Sequence, residues 1–372
     1  MSQIESQAET PEAVNDEATR RSHSLLEWVS MSPRAALRTL MRSSNLYILL
    51  VELALLLFFS VVSPYGTFFS ERNLINIAWD TSETLLLALG ETFVIITAGI
   101  DLSVGTVLML SGVTTSWVMA QLAGSPQQIV NGVYPNAAVA IAVAIPCGLL
   151  VGLIFGALNG VLIARLKMPP FIVTLGTFSI AIGLGDLLSA QGAAGQTTIP
   201  PAPPSFASAL GNGSLLLGLP TLVIVAIVAS VLAHIVLTRT VFGRRTFAIG
   251  SNAEGARLAG VPVTRQLIMV YSLAGVMSAL AGIFDLARFL ATDIQGHNLD
   301  NLNAIAAVVI GGTSLFGGTG SIWGTVIGAF IPVTLAYGFN IMGISSFWQL
   351  VAVGVIIIAA VLIDQARRRQ LT

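Results

Sequence analysis

Ten apolar runs divide this chain, and nearly every one is long enough to cross a lipid bilayer. They lie near Leu46–Val62, Leu74–Ala98, Ser103–Leu122, Asn136–Ala164, Phe171–Gln191, Ser214–Thr238, Gln266–Arg288, Leu302–Leu315, Ile322–Met342 and Phe347–Ile363. About 20 apolar residues carry a helix through a hydrocarbon core of ~30 Å. In lipid a backbone must satisfy its own polar groups, which helices do. The pattern therefore predicts an all-α, polytopic membrane protein of about ten transmembrane helices. Only 9% of the 372 residues are charged, against roughly a quarter in a soluble domain. The eighth run is short enough to be a half-helix or a re-entrant element, which is tolerated only where protein or water surrounds it.

Basic residues orient the spans. With the N-terminus inside, the inward segments hold Arg20, Arg21, Arg34, Arg38, Arg42, Arg165, Lys167, five arginines between 239 and 265, and Arg367–Arg369. That is 15 of the 17 basic residues, with only Arg72 and Arg288 on the outer side. The bias predicts an even number of spans and both termini in the cytoplasm. The chain then divides into a polar tail (1–45), a transmembrane domain (46–364) and a short basic tail (365–372). Met1–Arg21 reads as disordered, with no basic region leading into an apolar core as a signal peptide has. Ser32–Arg42 reads equally as a basic amphipathic helix on the membrane surface or as a plain juxtamembrane segment. The net charge of −1 argues against a nucleic-acid partner.

The inward loop Arg239–Arg265 carries a small helix signal. Asn252 is a good N-cap, Glu254 falls in the first turn and Arg257 near the end. Gly260 suits the left-handed position beyond the helix, and Pro262 blocks continuation. The two turns between Ala253 and Ala259 are too short to be stable alone. The segment is either a capped turn tidying a loop or a helix that a partner holds.

Two Gly-rich breaks, Gly99–Gly105 (GIDLSVG) and Gly311–Gly320 (GGTSLFGGTG), interrupt apolar runs on the inner side. Paired interruptions of this kind mark the pathway in transporters, and they also serve plain helix packing. Carboxylates at membrane depth include Glu52, Asp80, Glu83, Glu91, Asp101, Asp186 and Asp285. Intramembrane acids are candidate functional groups. Asp101 is equally placed to cap the helix that starts near Ser103. The candidate lining of a solute path is Glu91, Asp101, Ser103, Asn159, Thr174, Thr177, Asn301, Asn303 and Thr313, the amides and hydroxyls suiting a hydroxyl-rich ligand. His23, His234 and His297, with the single Cys147, make no metal set by spacing. No serine sits in a nucleophile elbow. Lys167 is the only lysine, in RLKMPP, so the chain holds no phosphate-binding P-loop. If ATP drives this protein, another chain binds it.

Four motifs, in this order and spacing, resemble the permease subunits of bacterial ABC importers for monosaccharides (the ribose, xylose, arabinose and galactoside group). They are ALGETFVIITAGIDLSVG (Ala88–Gly105), GALNGVLIARLKMPPFIVTLGT (Gly156–Thr177), FGRRTFAIGSNAEGARLAGVPV (Phe242–Val263) and LNAIAAVVIGGTSLFGGTGSIWGTVIGA (Leu302–Ala329). The resemblance runs from about Leu46 to Asp364. It implies an inner-membrane permease that performs no chemistry and binds no cofactor, ATP and Mg²⁺ belonging to separate ATPase subunits. It implies a second permease, identical or paired, and a periplasmic sugar-binding protein. Asn252, Ala253, Glu254, Gly255, Ala256, Arg257, Leu258, Ala259 and Gly260 then correspond to the coupling helix seated in a groove of the ATPase. The alanines would keep it slim, and Glu254 and Arg257 would anchor it. The chain departs from the family pattern at Glu91, at Ile182-Gly183, at Asn301-Leu302-Asn303 and in the outer loop Asp293–Asn298. Those departures put the solute in question more than the motor. The alternatives are a permease of the same kind for another small polar solute (a signal molecule, a cyclitol or an amino acid), an ion-coupled secondary transporter, and a membrane scaffold.

Overall fold

The structure, a computed structural model, describes residues 44–190, 202–211, 213–216, 218–294 and 296–369. The polar tail and Ser32–Arg42 lie outside the described residues. Each of the ten apolar runs contains a helix. These are α1 (Ser44–Val62), α2 (Glu71–Ile96), α3 (Val104–Leu122), α4 (Ala137–Ala164), α5 (Pro170–Ala190) and α6 (Thr221–Arg239). After the loop helices α7 (Val241–Ser251) and α8 (Ala253–Leu258) come α9 (Val263–Phe289), α10 (Asp300–Ile310), α11 (Ile322–Ile341) and α12 (Ser346–Arg369).

Among the described residues, five helices are long and apolar enough to cross a membrane on length and composition: α4, α5, α6, α9 and α11. Shorter apolar stretches lie in α1 and α12. Helices α2 and α3 fall outside that class because they turn polar side chains inward. Thr81, Ser82, Glu91 and Thr92 of α2 are buried, as are Thr106, Ser111, Thr115 and Ser116 of α3. The protein is thus a multi-pass helical membrane protein in which α2 and α3 turn polar side chains toward their neighbours.

Helix α9 is the hub, packing on α2, α3 and α4. Its contact with α4 follows from a four-residue period of small residues: Ala140, Ala144, Gly148, Gly152, Gly156 and Gly160 are all buried. A Cβ at Gly152 would fall 2.1 Å from the carbonyl oxygen of Gly275, and one at Gly156 would fall 2.3 Å from that of Tyr271. The two backbones touch directly, and such van der Waals contact is what holds helices together where lipid supplies no hydrophobic drive. Leu86, Leu89, Phe93 and Val94 of α2 meet Val270 and Ala274 of α9 and Val308 of α10 in the largest apolar cluster. A second cluster joins α1 to α11 through Phe59, Ile331 and Leu335, and Thr334 donates to Glu52 at 2.7 Å there.

Two expectations need correction. The sixth helix starts at Thr221, not near Ser214. The residues before it, Ser214–Leu216 and Leu219–Pro220, pair as a small antiparallel ribbon. Gly218 turns with φ +75°, and Pro220, at the N-cap of α6, offers no N–H to continue a helix backward. The loop 239–265 is not a polar loop with one small helix; it also contains α7.

The eighth run yields only the 11 residues of α10. At 1.5 Å per residue this is about 16 Å, roughly half a hydrocarbon core. The connection before it lies against α3, with His297 buried and Ala291, Asp293, Gly296 and Leu299 exposed. A Cβ at Gly112 would meet Thr292, and one at Gly105 would meet the His297 carbonyl.

Candidate functional site

The loop candidates lie at one end of the bundle. Thr240 caps α7 by accepting from Gly243 N–H. Asn252, extended at φ −162°, breaks the chain and caps α8, its Oδ1 accepting from Gly255 N–H at 2.8 Å. Gly260 takes φ +82° after the last turn, and Pro262 is the N-cap of α9. The helix presents Ala253, Glu254, Arg257 and Leu258 to solvent, Leu258 being 79% exposed. Ala256 is buried against the chain and Gly255 is half-buried, while Asn252, Ala259 and Gly260 are exposed. Glu254 and Arg257 grip each other, Nε to Oε2 at 3.1 Å and Nη2 to Oε1 at 2.5 Å. Hydrogen bonding and the charge of Arg257 hold the Glu254 carboxyl below its ordinary range and raise the guanidinium in turn. The pair is therefore ionised at neutral pH, and it is lost only as pH falls through that lowered carboxylate range.

Helix α7 connects this exposed helix to both Gly-rich breaks. Gly318 N–H donates to the Ile96 carbonyl at 2.9 Å, joining the second break to the end of α2, just ahead of the first. Gly250 of α7 lies on that junction. A Cβ there would fall 1.7 Å from Ile96 O and 2.6 Å from Gly318 N. Gln266 at the start of α9 donates to Phe242 O at 2.9 Å and Thr246 Oγ1 at 3.0 Å, tying α7 down. Phe242 also meets Phe93 of α2, ring centroids 5.9 Å apart.

Five of the pathway candidates form one buried network. Asp101 Oδ1 accepts from Ser103 N–H at 2.9 Å and Ser103 Oγ at 2.6 Å, so the carboxylate steadies the approach to α3. Asn159 of α4 donates to Ser103 Oγ at 3.0 Å, and Thr177 of α5 donates to Asn159 Oδ1 at 2.8 Å. Thr174 donates to the Pro170 carbonyl at 3.0 Å and reaches Ile100 O at 3.4 Å. The network satisfies its own members and pins the first Gly break to α4 and α5. Glu91 stands beside Asp101, fully buried, with both carboxylate oxygens unpartnered, as is the nearby Tyr271 hydroxyl. Thr313, in the second break, also has a buried unpartnered hydroxyl. Asn301 donates to Leu102 O at 3.1 Å, joining α10 to the first break. Asn303 stands apart from these.

Asn303 lines a polar cavity of about 780 Å³ at the end of the bundle opposite α8. Asp80, Glu83, Asp285, His297 and Asp300 share its wall. Asp80 pairs with Arg288 and accepts from Tyr337 at 2.7 Å. The Arg288 guanidinium lies 5.0 Å from the Trp79 ring centroid and 4.8 Å from that of Phe289. Sequence spacing gave no sign of this cluster, since its members come from segments some 200 residues apart. Glu83, His297 and Asp300 have ligand atoms within 4.8 Å of one another, a grouping that a count of histidines and cysteines alone passes over.

An exposed helix on a short loop at one end, Gly-broken helices in the middle and a polar cavity at the other end form the architecture of a transport component. The chain is 41% identical to the ribose import permease protein RbsC of Bacillus subtilis over 84% of its own length and 90% of that protein. It is 37% identical to the ribose import permease protein RbsC of Escherichia coli K12, covering 88% and 95%. It is also 37% identical to the fructose import permease protein FrcC of Rhizobium meliloti, covering 90% and 89%. No solved structure matches it significantly. Residues 73–361 match the family described as branched-chain amino acid transport system / permease component, and the chain belongs to that family.

Proposed function

We propose that this chain is the pore-forming permease subunit of an ATP-driven importer that carries a monosaccharide across a bacterial inner membrane, both termini lying in the cytoplasm. The observation that carries the reading is the likeness to ribose and fructose import permeases over nearly the whole of both chains, joined to the exposed six-residue helix α8. In this reading α8, from Asn252 to Gly260, seats in a groove on an ATPase subunit, which binds ATP and Mg²⁺. A second permease, identical or paired, completes the pore, and a periplasmic sugar-binding protein delivers cargo to the polar cavity. Motion of α8 passes through α7 to the junction of Ile96, Gly250 and Gly318. That junction moves both Gly breaks together, and with them the ends of α2 and α10. Asn159, Thr174, Thr177, Asp101 and Ser103 hold the first break in register. Glu91, Asn301, Asn303 and Thr313 border the path of the solute.

The test is uptake in proteoliposomes holding this permease, the ATPase and the binding protein. Labelled ribose, fructose and galactose would be compared with leucine and a cyclitol. ATP-dependent uptake of a sugar that survives collapse of the ion gradients is expected. Uptake that persists without the ATPase and follows an ion gradient would overturn the assignment. Uptake of leucine alone would replace the cargo and keep the motor.

A further inference from the structure

We propose that the outer cavity holds a divalent metal ion, bound by Glu83, His297 and Asp300 and steadied by Asp285. The inference rests on local geometry and does not depend on the sugar reading. His297 is buried, and both its ring nitrogens face carboxylates. Nε2 lies 3.4 Å from Asp285 Oδ2, and Nδ1 lies 2.7 Å from Asp300 Oδ2. On the same Nδ1 side, Glu83 Oε1 approaches to 3.8 Å. A neutral imidazole has one N–H. If Nε2 donates it to Asp285, the Nδ1 lone pair faces two further carboxylate oxygens; a proton on Nδ1 would match the nearer one, Asp300 at 2.7 Å, and leave Glu83 at 3.8 Å unmatched. A proton serves two atoms of the three. A metal ion serves all three.

The ligand chemistry fits. One imidazole nitrogen and two carboxylate oxygens are a common set for Zn²⁺ and suit Mn²⁺, with bonds of about 2.0–2.2 Å and ligand separations near 3.4 Å. The atoms here lie within 4.8 Å of one another, and seating an ion would let Asp300 move out from 2.7 Å while Glu83 moves in from 3.8 Å. Asp285 then does what the second carboxylate does at most metal-bound histidines: it takes the distal N–H and fixes the tautomer. Charge points the same way. Asp80, Glu83, Asp285 and Asp300 line the cavity, and Asp80 is already matched by Arg288. A bound ion would fasten α2 to α10 and to the connection before it, with a coordination position left facing the cavity.

The experiment uses the full chain, free of any histidine tag, purified in detergent and stripped with a chelator. Zn²⁺ and Mn²⁺ are titrated separately by calorimetry, with thermal unfolding followed in parallel. One equivalent should bind, and the ion should raise the Tm. His297→Gln and Asp300→Asn should each weaken binding at least tenfold and abolish the Tm rise. Asp285→Asn should keep the stoichiometry and weaken affinity ten- to hundredfold. Asp300 is the more exposed ligand, so its variant stands in if His297→Gln does not fold. Absence of saturable binding to the parent protein would overturn the proposal and leave an imidazolium as the counter-ion. Binding that these substitutions leave unchanged would overturn it too.

Discussion

Gly250→Ala should uncouple ATP hydrolysis from transport. The added methyl would sit 1.7 Å from Ile96 O, about half of an ordinary contact near 3.4 Å, and the obstacle is backbone, which cannot swing aside. Overpacking of this kind costs about 1–3 kcal/mol. Parting the breaks also forfeits the hydrogen bond from Gly318 to Ile96, worth about 1 kcal/mol. The penalty of about 2–4 kcal/mol falls on the conformation in which α7 touches both breaks. It is relieved where α7 has moved away. At about 1.4 kcal/mol per tenfold, the equilibrium between the two shifts at least tenfold. The assay is sugar taken up per ATP hydrolysed in proteoliposomes, beside the Tm of the purified subunit. Gly183→Ala is the control, because a methyl there meets nothing within 4 Å. Transport per ATP should fall severalfold and the Tm should drop only for Gly250→Ala. If the two variants agree in both readouts, the junction is not a mechanical contact and the reasoning fails.

Asn159→Leu should lower stability by about 2–3 kcal/mol, because Thr177 and Ser103 lose their shared partner; an unmoved thermal transition in detergent would contradict it. Gly156→Val should cost about 1–3 kcal/mol or more by forcing α4 off the Tyr271 carbonyl, visible as a lower Tm and poorer yield, whereas Gly176→Ala, with open space around it, should change neither. Replacing Glu254 and Arg257 together by glutamine should leave the Tm alone, since the pair is exposed, while reducing ATP-driven uptake; a lower Tm with normal uptake would assign the pair to folding instead.

Where the sequence carried a local signal, the fold could be read from it. The apolar runs became helices because lipid leaves the backbone no other partner. Asn252 and Gly260 marked the ends of α8 through capping chemistry that acts within a few residues. Helix α7 escaped notice because its arginines masked a buried face, Gly243, Thr246 and Ile249. The clues were Thr240 as an N-cap and that three-residue spacing. The small-residue stripe of α4 was equally legible, at a period of four, but its partner on α9 was not. Pairing between remote segments leaves no periodic trace. The same reason hid the meeting of Glu83, Asp285, His297 and Asp300, and the self-satisfied network around Asn159.

The shortness of α10 has an electrical consequence. Its helix covers about half of a hydrocarbon thickness, and the irregular connection ahead of it sits beside a polar cavity lined by charged side chains. Irregular backbone survives at such depth only next to protein or water. In the proposed orientation, water entering that cavity would bring the outside solution part of the way in, so the insulating layer would be thin at this point of the molecule. The transmembrane voltage would then drop mostly across the inner half, over a steeper gradient. A neutral cargo crosses that drop without electrical work, whereas a charged one does nearly all of its work in the final passage beside the Gly breaks.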